Sequence, residues 1–190
     1  MDDLETDLEV DDLLANTGLK KKVNGKRKGN RVELELCKLL TKRFGKTFTR
    51  SVGSGNRFSQ VAYMPSHAKD VFSGDICPPD GNFLWVIECK GGYDEDIDTS
   101  SLLVEGSSRL NEFIKQSEKD ANQSGRKPII CWKRSRKPWI AIVRQSDVPS
   151  LQNFKYYIIY QDWVIISLEK MLAFYDNTFW FENYEAADEV

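Results

Sequence analysis

Histidine is almost missing from this chain: His67 is the single one among 190 residues. A Ser-His-Asp triad or a histidine-rich zinc site therefore has too little material. Cysteine is sparse too, and Cys37, Cys77, Cys89 and Cys131 show neither paired CxxC spacing nor the density of a disulfide scaffold. Three of them fall inside expected elements and read as core thiols. No apolar run reaches the roughly 18 residues of a membrane span. The N-terminus is acidic where a secretory signal needs a basic start and an apolar stretch. The expectation is a soluble, cytoplasmic protein with no membrane partner.

What is present suits one ordinary domain. With 41% hydrophobic residues, a chain of this length can bury roughly 70% of its unfolded surface without staples. The net charge of −2 hides a segregated pattern. Residues 1–19 carry −7, 20–60 carry +11, 61–100 carry −6, 101–155 carry +6 and 156–190 carry −6. A basic middle around an acidic island is the arrangement expected when polyanion-binding surfaces flank a carboxylate cluster that binds metal. Phosphate contacts come from Lys and Arg, whereas the ion needs acids.

Residues 1–24 read as an acidic, then basic, solvated tail, with a partner-binding or DNA-mimicking role open for the acidic part. From Asn30 the pattern turns helical, with Val32, Leu36, Leu39, Leu40 and Phe44 on one face and Gly45 placed to stop it. Thr47 to Val52 reads as a strand leading into Gly53-Ser54-Gly55-Asn56, and the run on to Ser73 reads as an irregular insertion. Two short strands follow, one beginning at Asp75 and one from Phe83 to Ile87. A helix over about 108–123 comes next, then strands at 128–133 and 139–144. A hairpin of 156–160 and 163–167 turns across Gln161-Asp162, and a short helix covers 168–175. Residues 25–180 would form the domain and 181–190 a polar C-terminal tail. The order implies a mixed sheet covered by helices, an α/β fold.

The strand that ends in Glu88-Cys89-Lys90 carries the chemistry. Alternation along a strand sends Glu88 and Lys90 to one face and Cys89, Ile87 and Trp85 to the other. The turn residues Pro78-Pro79-Asp80-Gly81-Asn82 suggest a tight reversal centred on Asp80-Gly81, setting Asp75 diagonally across from Glu88 at roughly 7 to 8 Å. Two hard oxygen donors at that spacing suit Mg²⁺. Asp75 and Glu88 would ligate it, helped by the backbone carbonyl of Cys89. Lys90 would position water or phosphate and stabilise developing negative charge. Glu33, on the first helix, would complete the shell or hold a second ion. Taken alone, an E-x-K triplet is an ordinary solvated ion pair.

Three further matches accompany it: Lys28-Gly29 with Glu33, then Arg50-Ser51-Val52-Gly53-Ser54-Gly55, then Gly74-Asp75-Ile76. With Ile87-Glu88-Cys89-Lys90, these resemble the PD-(D/E)xK nuclease superfamily, and most closely the archaeal-type Holliday junction resolvases and their phage-borne relatives. The resemblance covers about residues 28–144. It implies a restriction-endonuclease-like mixed β-sheet core flanked by helices, and a Mg²⁺-dependent active site in which Mn²⁺ substitutes. It also implies a homodimer that cleaves branched DNA. Catalytic roles fall on Glu33, Asp75, Glu88, Lys90 and Ser54, with Arg50 assisting at the phosphate. Gly74 departs from the Pro of the motif's name, and 19 residues separate Gly55 from Asp75, a long insertion that bears on substrate choice.

Around that set, Arg50 and Arg57 beside the glycine loop suit the approach of a phosphate. Lys26, Arg27 and Lys28 suit DNA-backbone contacts or a solubilising patch. Gln116 and Lys133 could support the site, Gln116 alternatively being plain exposed helix. Asp94, Asp96, Asp98 and Glu105 match EF-hand positions, yet Thr99 stands where the sharp turn requires Gly, so the segment reads as a solvated acidic loop. Tyr156, Tyr157, Tyr160, Trp163, Phe174, Phe179 and Trp180 read as core or a dimer face, with base stacking the alternative. Two other readings stay open: a restriction-like or homing-type duplex endonuclease, and a catalytically inactive DNA-binding module of the same fold.

Overall fold

The computed structural model describes residues 25–51, 73–93, 102 and 108–183. Four α-helices and seven strands can be named among them, besides two single-turn 3₁₀ helices, Gln145–Asp147 and Leu151–Asn153. Helix α1 spans Gly25–Phe44, strand β1 Thr49–Arg50, β2 Ile76–Cys77 and β3 Trp85–Gly91; α2 spans Ser108–Ser124, β4 Lys127–Lys133, β5 Trp139–Arg144, β6 Ile158–Tyr160 and β7 Trp163–Ser167; α3 spans Leu168–Phe174 and α4 Asn177–Trp180. Five strands form one mixed sheet in the order β3-β4-β5-β7-β6. β3 and β4 are parallel, with Glu88 beside Ile130 and Lys90 beside Trp132. The remaining pairs are antiparallel. This is the α/β core expected from the sequence.

Alternation in the central strands builds two apolar layers. Trp85, Ile87, Cys89, Ile129, Cys131, Ala141, Val143, Val164 and Ile166 face one way and pack with Leu36, Cys37, Leu40 and Phe44 of α1 and with Leu168, Met171 and Leu172 of α3. Ile130, Trp132, Ile142, Trp163 and Ile165 face the other way, under Leu110, Phe113 and Ile114 of α2. Both long helices stop as glycine dictates. Gly45 and Gly125 take positive φ values of 67° and 68°, and their amides close the last turns on Thr41 and Ala121.

The C-terminal stretch is bound to the core. Leu84 donates to the Trp180 carbonyl, Phe83 bridges Phe181, and Glu182 donates to the Asn82 carbonyl. Phe181 is buried, so packing continues one residue beyond the 180 boundary read from the sequence. The expected tail 1–24, the glycine loop with Ser54 and Arg57, and the acidic run 94–98 with Glu105 lie outside the described residues. Of the aromatic set, Tyr160, Trp163 and Trp180 are buried, whereas Tyr156, Tyr157 and Phe174 are exposed. Among the described residues no helix is long and apolar enough to cross a membrane.

One expectation fails in the sheet. The strands around Asp80-Gly81 form no hairpin ladder: β2 pairs with β1, with Thr49 beside Cys77 and Arg50 beside Ile76, in a separate two-stranded sheet. Pro78 and Pro79 explain this, because neither has an amide to donate to a ladder. Asp80 instead closes a local turn, its Oδ1 accepting the Asn82 amide at 2.9 Å.

Candidate active site

β3 is an edge strand of the five-stranded sheet, and Asp75 is fastened to its open side. The Asp75 amide donates to the Ile87 carbonyl at 2.9 Å. Its Oδ2 accepts the Cys89 amide, also at 2.9 Å. The Asp75 carbonyl in turn accepts the Ser51 amide at 2.8 Å, which locks the small β1–β2 sheet to the same place. Gly74 makes the approach possible. Its φ is +80°, and a Cβ there would lie 2.6 Å from the Ile87 carbonyl oxygen. Proline, fixed near −65°, cannot adopt this backbone, which accounts for the departure from the motif's name.

Glu88 and Lys90 share the face of β3 turned toward α2. Glu88 is only 2% exposed. Its Oε1 is ion-paired with the Lys90 ammonium, while its Oε2 is buried with no hydrogen-bond partner. Lys90 Nζ also donates to Gln116 Oε1 at 2.9 Å and sits 5.1 Å from the centre of the Phe113 ring. Burial, followed by the Asp75 charge, pushes the Glu88 carboxyl up to about 8 against the opposing pull of Lys90. At neutral pH Glu88 thus resists ionising beside Asp75. A hard divalent cation would relieve that repulsion and give Oε2 a partner, so the donor set fits one.

Cys89 lies between these groups and faces the α1 layer, its thiol buried and held far above the usual range. Its amide points to Asp75. On an extended strand the carbonyl of a residue leaves on the same side as its amide, so the Cys89 carbonyl also points toward the open edge.

Glu33 is engaged elsewhere. Arg50 donates to Glu33 Oε2 at 2.6 Å and to Asn30 Oδ1 at 2.7 Å, tying α1 to β1. Glu33 therefore stands on the α1 side of the sheet, near enough to Cys37 and Cys89 to act on both thiols, with Glu88 on the opposite face. Among the described residues no three Asp, Glu, Cys or His side chains converge tightly enough to form a closed metal cluster. Lys133, at the end of β4, is paired with Glu35 at 3.3 Å and lies 5.5 Å from the centre of the Trp139 ring. Lys26, Arg27 and Lys28 fall in the first turns of α1.

Gln116 is exposed on α2, and it also accepts a hydrogen bond from the Lys90 amine. Asp120 was missed by sequence reasoning altogether. It lies one turn beyond Gln116 on α2, and burial together with the Asp75 charge raises its carboxyl above the ordinary range. The signal was the spacing: Phe113, Gln116 and Asp120 at offsets of three and seven form one helical stripe.

The model of a family described as "Phage putative PDDEXK endonuclease" matches residues 24–183. That span takes in the last hairpin and both C-terminal helices, beyond the 28–144 covered by the motifs. Protein D14 of Escherichia phage T5 is 30% identical over 134 residues, covering 69% of this chain and 77% of its own. No solved structure matches the chain.

Proposed function

Since the chain belongs to the phage PDDEXK endonucleases, we propose that it is a Mg²⁺-dependent endodeoxyribonuclease that hydrolyses phosphodiester bonds in branched DNA, working in the cytoplasm as a homodimer. The observation that carries the reading is the buried, partnerless Oε2 of Glu88 beside Asp75 and Lys90. A structural ion pair would have both oxygens satisfied.

In this reading Asp75, Glu88 and the Cys89 carbonyl hold Mg²⁺, with Mn²⁺ able to replace it. Bound there, the ion would supply Lewis-acid polarisation of a phosphoryl oxygen and a more acidic water. Lys90 has a double task. While Glu88 carries charge the ammonium neutralises it, and Gln116 keeps the amine on the α2 side, where it can steady the attacking water and offset charge growing on the phosphoryl group. Arg50, fixed by Glu33 and Asn30, presents its remaining donor surface to phosphate near Ser51, with Ser54 as a further donor. Glu33 acts here through Arg50, which it anchors from the α1 side of the sheet. Lys26, Arg27, Lys28, Arg57 and Lys133 supply backbone contacts to DNA, and the acidic N-terminal segment is left for a protein partner.

The test is nicking of a mobile four-way junction and of linear DNA of the same sequence, with Mg²⁺ and with EDTA. Wild type should cut the junction faster and stop in EDTA. Glu88→Ala and Lys90→Ala should each lower the rate by a factor on the order of 10² to 10³ while junction binding persists. Faster cutting of linear DNA would favour a restriction-like enzyme. Salt-dependent binding with no product under any divalent ion would favour an inactive binding module.

A further inference from the structure

α2 joins two parallel strands, β3 and β4, so it runs back antiparallel to both. One helical turn of four residues advances about 6 Å, and two residues of strand advance about 6.6 Å. Gln116 is bonded to Lys90. Moving four residues on along α2 and two residues back along β3 therefore brings Asp120 level with Glu88. The faces agree as well, since Asp120 lies on the helical stripe of Phe113 and Gln116, which touch Lys90, and Glu88 shares Lys90's side of the strand. The charges respond accordingly: Asp120 acts on Glu88, and Asp75 and Lys90 act on Asp120.

A clustering of acids alone would be unremarkable chemistry for a surface, but here one of them is almost wholly buried with an oxygen aimed at nothing. Asp75 is tied to β3 and Glu88 lies on it, whereas Asp120 reaches them from the helix packed above. A Mg²⁺ ion held by two carboxylates keeps several waters, and those waters need acceptors.

We propose that Asp120 is the outer carboxylate of the cation position, accepting a hydrogen bond from an ion-bound water while Asp75 and Glu88 ligate from the sheet edge. The proposal rests on the ion-site reading given above and adds a residue and a role to it. It makes Asp120 a positioning residue, because it acts through the ion's water.

Calorimetric titration of the full chain with MgCl₂, repeated with MnCl₂, tests it on wild type, Asp120→Asn and Glu112→Gln. Glu112 lies on the same helix but is solvent-exposed and paired with Arg109. Asp120→Asn should raise the Mg²⁺ dissociation constant about tenfold or more, as loss of an outer-shell partner does, and Glu112→Gln should leave it unchanged. The ion-free melting temperature of Asp120→Asn should not fall, since a like charge beside Asp75 and Glu88 is removed. Wild-type affinity in Asp120→Asn, or an equal loss in Glu112→Gln, overturns the role of Asp120 while leaving the ion site standing. An ion-free melting temperature that falls in Asp120→Asn marks a packing residue and overturns it too. No saturable binding to wild type overturns both readings together.

Discussion

Glu88 is pulled in opposite directions by its neighbours, and the balance is measurable. Burial and Asp75 raise its carboxyl to about 8, while Lys90 works to lower it. The folded protein therefore binds a proton there more tightly than the unfolded chain, whose carboxyl titrates at about 4.5. Between those two values the unfolded chain has already lost its proton, so stability declines as pH rises through the window and levels off above about 8. In ion-free buffer, urea midpoints measured from pH 5 to pH 9 should fall for wild type and change less for Glu88→Gln. Parallel curves for the two proteins would show that Glu88 ionises freely in the fold. Because the ion takes only the ionised carboxylate, Mg²⁺ affinity should tighten over the same range.

At the scale of elements, one glycine fixes the distance between the two acidic stations. Gly74→Ala would place a methyl carbon 2.6 Å from the Ile87 carbonyl in a left-handed backbone. The strain is of order 1–3 kcal/mol, and the chain can escape it by releasing the Asp75 amide from Ile87. Circular dichroism melting should show a loss of that size, and nicking should fall more than tenfold. Full activity would mean that Asp75 is not held by this contact. The same segment shows where sequence reading was sound and where it failed. The periodicity of Leu36, Leu40 and Phe44, and of Leu110, Phe113 and Ile114, located both long helices because burial enforces it. Trp139–Arg144 and Trp163–Ser167 were legible as short apolar runs bounded by turn residues, as strands covered on both faces are. The partner of β2 was not, because Asp80-Gly81 supplied turn chemistry while Pro78 and Pro79 removed the donors a ladder needs. Asp75 still reached β3, by one backbone bond and its own side chain.

Across the whole molecule, the sheet divides the candidate residues between two faces. Glu88, Lys90, Gln116 and Asp120 belong to the α2 side. Glu33 and Arg50 belong to the α1 side, and Asp75 stands at the edge between them. The sequence shows which residues carry charge but not which charges meet: Glu33 found Arg50, and Lys133 found Glu35. The stripe of Phe113, Gln116 and Asp120 is present in the sequence, but that it passes over Glu88 follows from the direction of α2 over β3, a property of the parallel crossover. The proposed dimer and junction preference rest on the resemblance alone, whereas the position of the site on the edge strand β3 is a feature of the fold.

All four thiols are interior and none is in a disulfide, and they sit in different parts of the machinery. Cys89 is flanked by Glu88 and Lys90, Cys77 lies on β2 two residues after Asp75, and Cys131 lies on β4, covered by β3 and β5 on either side. A membrane-permeant alkylating reagent thus becomes a clock for opening motions. Folded protein should resist it on a timescale of hours, and four adducts should form in urea. A mass spectrum showing Cys77 labelled ahead of Cys131 would reveal that the edge carrying Asp75 peels away before the body of the protein yields.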